Sequence, residues 1–327
     1  ATGLWTAVLV AVFTAGAPHS LHAQANIDQI KSRATPVNLE TEDGVYIKAY
    51  YWPAPKSGPD AAPVIVTHMF GRNQLDVFPF ADELNKDGFA VMTFDYRGHG
   101  ESKDIDPEKY QAKNGRATTS KTTIDYATDL RSARDFPAML NDLLAVKQHL
   151  IEENNKEKLN IRELGLVASG PLGCNVALLF AQHEYLAGGR IGFVRTGGDL
   201  SALVLVSPER GYKGMRAVTD LGKDSQNLPI MLVSSDAPKS KNEVSRLAKS
   251  FNVPEQGASE RRTDRPDSVW LEVPGTDTGT DLIAKDAGGI TESIRGYLLA
   301  RLKPDRTKPW AVREAPSGGA FGSGRGN

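Results

Sequence analysis

The run Leu164-Gly-Leu-Val-Ala-Ser-Gly-Pro-Leu-Gly-Cys-Asn-Val-Ala-Leu178 is the part of the chain best placed to carry chemistry. It reads as a buried strand, a sharp turn and a helix, a layout that lifts one side chain clear of a sheet. A turn of this kind that carries a nucleophile is normally written Gly-x-Ser-x-Gly, with a small residue two places to either side. Ser169 and Gly173 fit that pattern and centre the turn on Pro171. Proline carries no nucleophile, and its ring holds φ near about −65°, away from the positive φ of a strained elbow. Centring on Ser169 instead sets Val167 and Pro171 at the flanks, which crowds the turn. Ser169 is thus a displaced nucleophile on one reading and a small turn residue on the other.

The other reactive residue types are sparse. The single cysteine, Cys174, excludes an internal disulfide and a cysteine-based metal cluster. It reads as a small buried residue, without the polar neighbours that lower a thiol pKa. The histidines are His19, His22, His68, His99, His149 and His183. None stands with other ligands at metal-site spacing, and no Gly-rich phosphate loop occurs, so no metal or cofactor is expected. A net charge of −1 gives no electrostatic reason to expect nucleic acid or an anionic membrane surface.

Both ends differ in composition from the middle. Leu4 to Ala15 is apolar but too short to span a bilayer, and Ala23-Gln24-Ala25 has the form of a cleavage site. Residues 1–25 are therefore expected to be a signal peptide, with the mature chain secreted or periplasmic and free of a membrane span. Residues 304–327 are expected to be a disordered tail, Gly/Ser-rich from Ala315 onward.

Between the ends, strand and helix patterns alternate. Asn38 to Thr41 and Val45 to Tyr51 read as an antiparallel hairpin around a Gly turn. Pro63–Thr67, Phe89–Asp95, Leu164–Ser169, Leu200–Val206, Leu228–Ser234 and Ser268–Val273 read as buried parallel strands. Helical spacing marks Phe80–Asp87, Met139–Glu153, Leu172–Leu186, Glu243–Phe251 and Ile290–Leu302. The alternation predicts a single α/β domain over 26–303, a mostly parallel central sheet with helices on both faces and no large lid. Lys103 to Pro137 is an insertion, readable as a flap over the site or as a surface excursion with one short helix.

Three segments resemble the α/β-hydrolase superfamily, in the style of esterases, dienelactone hydrolases and serine aminopeptidase-like members. They are Thr41 to Tyr50, Val64-Ile-Val-Thr-His-Met-Phe-Gly71 and Phe94-Asp-Tyr-Arg-Gly-His-Gly-Glu-Ser102. The resemblance implies the α/β-hydrolase fold and a Ser, Asp/Glu, His triad in that chain order. It places the nucleophile at Pro171 and the histidine at Thr278, within Pro274-Gly-Thr-Asp-Thr-Gly-Thr-Asp281. No histidine follows His183. Asp236 fits the acid position, and reads equally well as a polar loop aspartate. The resemblance also implies oxyanion-hole amides at Met69 or Phe70 and at Leu172, with His68 a turn residue or a binding residue beside them.

These residues predict an α/β-hydrolase-fold protein without the serine nucleophile and the catalytic histidine. It would be a binding or interaction protein that takes a small-molecule or peptide ligand in the old cleft. The alternative is a working serine hydrolase, carboxylesterase or peptidase-like, using Ser169.

Overall fold

The computed structural model describes residues 26–114, 121–186, 190–191, 194–195, 198–221, 227–254, 267–302 and 309–313. The expected signal peptide, half of the residues between 188 and 199 and the Gly/Ser-rich end lie outside these residues.

Eight strands form one sheet: β1 Thr35–Glu40, β2 Tyr46–Trp52, β3 Pro63–Thr67, β4 Ala90–Phe94, β5 Leu164–Ser169, β6 Leu200–Val206, β7 Ile230–Ser235 and β8 Val269–Val273. Their spatial order is β1-β2-β4-β3-β5-β6-β7-β8. The β1–β2 and β2–β4 pairs are antiparallel, and every other neighbouring pair is parallel. The central strands β3, β5 and β6 are buried at every position, which is why they read as unbroken apolar runs rather than alternating ones.

Helices cover both faces. They are α1 Phe78–Lys86, α2 Pro107–Asn114, α3 Tyr126–Asp129, α4 Leu140–Asn155, α5 Gly170–Leu186, α6 Pro238–Phe251, α7 Thr280–Ala284 and α8 Ile290–Arg301. The core divides accordingly. Leu143, Val146, Leu150, Val176, Phe180, Leu247 and Phe251 pack from α4, α5 and α6 on one side. Phe78, Leu84, Ile294 and Leu298 pack from α1 and α8 on the other. Among the described residues no helix is long and apolar enough to cross a membrane.

Two segments depart from expectation. The insertion between β4 and α4 is no free flap, because Ile105, Ile124, Leu130 and Phe136 are buried in the core. It carries two helices, α2 and α3, and its backbone bridges Val45 to Ile105. The expected disordered tail begins too early: residues 309–313 lie against the domain. Trp310 Nε1 donates to Asn154 O at 3.1 Å, and Arg162 Nη1 donates to Pro309 O at 2.8 Å. Arg313 reaches buried Asp199, which also holds Lys147 at 2.9 Å. Composition alone hid this, since a strap held by a few specific bonds has the same Pro and basic content as a solvated tail.

Candidate active-site cleft

The turn after β5 is the expected site of chemistry, and its apex is Gly170. Gly170 has φ +73°, and α5 begins with it. Pro171 therefore sits in the first turn of the helix, where its fixed φ is suited and its missing N–H costs nothing. This corrects the expected centring on Pro171 by one residue. Gly173, which had suggested that centring, is small for another reason: a Cβ there would stand 3.4 Å from His68 O. The order glycine then proline, a left-handed residue followed by a helix-starting one, is the sequence signal that fixes the true register.

The space in front of Gly170 is filled. A Cβ on Gly170 would lie 2.5 Å from the Met69 Cβ. From the other side Gly279, with φ +56°, closes in, and a Cβ on it would meet Met69 Sδ at 2.7 Å. The Gly279 N–H donates to Ser207 Oγ at 2.8 Å, and Ser207 itself has φ +55°. Thr278, the expected histidine position, is exposed; Gly279 is the residue of that loop that faces the turn.

The oxyanion-type donors are altered as well. Met69 N–H donates to the buried hydroxyl of Thr280 at 2.8 Å, so it is engaged within the protein. With the apex at Gly170, the next amide belongs to Pro171 and has no hydrogen. Leu172 follows one place further into the helix and is buried. Phe70 remains half-buried, packed among His99, Tyr126, Phe136 and Tyr212.

The remaining expected residues do not gather at the turn. Ser169 is fully buried, and its Oγ has no hydrogen-bond partner, so no imidazole stands beside it. Asp236 is exposed, and its Oδ1 accepts from the Gly275 N–H at 3.1 Å. Cys174 is buried, which pushes its thiol well above the usual range.

His68 and His99 serve the loops around them. His68 is fully buried; its Nδ1 lies 2.8 Å from Met69 O and its Nε2 accepts from Tyr96 N–H at 3.1 Å. Both nitrogens are used by the neutral ring, and burial lowers its pKa to about 4. Asp95, 3.8 Å away, is engaged instead with the backbone amides of Gln74 and Glu101. His99 is also buried, its pKa lowered to about 3, chiefly by desolvation. Arg97, in the same Asp-Tyr-Arg-Gly-His-Gly segment, is buried between Asp43 at 2.6 Å and Asp142 at 2.8 Å. That segment is a structural knot that ties the β4 end to α4. Among the described residues no group of three or more His, Cys, Asp or Glu is arranged to hold a metal ion.

The family model for serine aminopeptidase, S33, a hydrolase model, matches residues 58–213, from the approach to β3 through the first half of the 211–216 hairpin. The strand order, the elbow after β5 and this match agree. The chain has the α/β-hydrolase fold.

Solved structures of the superfamily share the fold at low identity. An esterase from Pyrobaculum calidifontis superposes with a TM-score of 0.53 at 13% identity, covering 86% of this chain and 91% of the esterase. An esterase from Pyrococcus furiosus gives 0.51 at 13%, covering 84% and 95%. A dienelactone hydrolase from Anabaena variabilis gives 0.51 at 10%, covering 83% and 100%. No curated protein matches the chain in sequence.

Proposed function

We propose that this α/β-hydrolase-fold chain is a binding or interaction protein that carries out no serine-hydrolase chemistry. The observation that carries the reading is the elbow: its apex is a glycine, and the volume a serine side chain would need holds Met69. Without an attacking hydroxyl there is no acyl intermediate to form. Pro171 supplies no oxyanion amide, and Thr278 no imidazole. What stands beside the elbow loop is a set of half-buried rings, Phe70, Tyr126 and Tyr212, which can hold a small molecule or peptide. We further propose that the protein works outside the cytoplasm, on the strength of the apolar run and A-x-A pattern in residues 1–25.

The test is labelling with a fluorophosphonate probe together with turnover of a p-nitrophenyl ester. No labelling and background turnover are expected. Labelling that disappears in Ser169→Ala would establish the working-hydrolase alternative instead. The burial of Ser169 and its lack of a base argue against that outcome.

A further inference from the structure

A cation already lies over two of these half-buried rings. Gly211–Tyr212 pairs antiparallel with Met215–Arg216, and the two turn residues between them, Lys213 and Gly214, have φ of +44° and +89°. A side chain in that left-handed region is unfavourable. Lys213, although exposed, lies over two rings. The Lys213 ammonium lies 5.4 Å from the centroid of Phe70 and 5.3 Å from that of Tyr212. Both distances fall within the roughly 6 Å reach of a cation–π contact. Lys213 makes no ion pair among the described residues, although Lys109, Lys113, Lys121 and Lys239 all pair with carboxylates.

The rings are held as a set. Phe70 and Tyr212 stand 5.8 Å apart at 55°. Tyr126 meets Phe70 edge-on at 5.3 Å and 89°, and is itself stacked on His99 at 4.4 Å and 15°. Phe136 supports both Phe70 and Tyr212 from the core. Phe70, Tyr126 and Tyr212 are only half-buried, so a ligand can reach them. His99, held neutral by its burial, adds no positive charge behind Tyr126.

We propose that Phe70 and Tyr212, walled by Tyr126, form a cage for a small organic ammonium ion, and that Lys213 is its internal stand-in, displaced when the ligand binds. The proposal rests on the reading of the cleft as a binding site. A primary ammonium is compact and strongly hydrated, so it leaves water reluctantly. An N-methylated ammonium ion gains the same attraction from the ring faces and is the ligand that aromatic cages commonly take. The cage therefore favours a quaternary ammonium over its own lysine.

The experiment titrates the full chain with choline and with 3,3-dimethylbutan-1-ol, the uncharged isostere of choline, by calorimetry. Lys213→Ala should bind choline roughly two- to fivefold tighter than the parent, because the competing cation is gone. Tyr212→Phe should keep the affinity, and Tyr212→Leu should weaken it by roughly the same factor or more. The uncharged isostere should bind distinctly more weakly than choline to every variant that keeps the ring. Equal binding of the two probes overturns the cage, as does an unchanged affinity in Lys213→Ala. Should Tyr212→Leu fail to fold, the exposed Lys213→Ala and the isostere still decide the matter. Absence of choline binding with absence of ester turnover overturns the cage and leaves the non-catalytic reading standing. Ester turnover overturns that reading, whatever choline does.

Discussion

Gly279 lies directly against Gly170: a Cβ on Gly279 would stand 3.1 Å from both the Cα and the N of Gly170. The loop after β8 and the elbow after β5 thus meet backbone to backbone, where an active hydrolase of this fold needs an imidazole beside a hydroxyl.

Placing a nucleophile at Gly170 should strain the fold. Gly170→Ser places a side chain at φ +73° and against Met69. A cost of about 1–3 kcal/mol is expected from the backbone alone. Chemical denaturation should show it, and Met69→Gly in the same chain should recover the steric share but not the backbone share. Equal stability of Gly170→Ser and the parent would remove the packed-elbow description.

The substitutions that the sequence pattern suggests for recovery should yield nothing. Pro171→Ser puts a hydroxyl in the first turn of α5, behind the apex, and Thr278→His puts an imidazole on an exposed loop residue. The double variant should hydrolyse p-nitrophenyl esters no faster than the parent. A gain approaching the roughly 10²-fold that general-base help provides would show that the two positions do meet.

Acid should destabilise the protein through His68 and His99. Both fold as buried neutral rings with pKa values of about 4 and about 3. The unfolded chain takes up protons near pH ~6.5, so the stabilisation is complete above that pH and is lost as pH falls toward the folded values. Between pH 7 and pH 5 each ring should account for up to about 2 kcal/mol. Urea midpoints at the two pH values measure this. His68→Gln should flatten the dependence, and a midpoint that does not move would contradict it.

Cutting the strap should weaken the far side of the domain. Arg313 and Lys147 share buried Asp199. Arg313→Ala leaves Lys147 to serve both Asp199 and Glu184, so the loss should be about 1–3 kcal/mol, below the ~3–5 kcal/mol of a wholly broken buried pair. Thermal melting would read it, and Arg313→Lys should restore part of it.

The sheet was largely legible because its central strands are buried on both faces. Pro63–Thr67, Leu164–Ser169 and Leu200–Val206 are continuous apolar runs, and the strands have those same bounds. The elbow was legible in kind but not in register. Ser169, Gly170 and Gly173 are all small, so side-chain size admits more than one centring, and only the backbone sign at Gly170 separates them. The contacts of Met69 and Gly279 were out of reach, since they join residues more than a hundred positions apart across three loops. Lys213 over Phe70 was hidden for the same reason: nothing in Tyr-Lys-Gly says which ring the hairpin will face.

The strap also sets the order in which the domain can be completed. Asp199, Glu184 and Lys147 come together as the sheet closes, yet the second cation for these two carboxylates arrives only with Arg313. A chain emerging from the ribosome folds its N-terminal parts first. Its buried acid pair stays one positive charge short until the final described residue is free. The buried acids are thus completed late, by a residue that takes no part in the sheet.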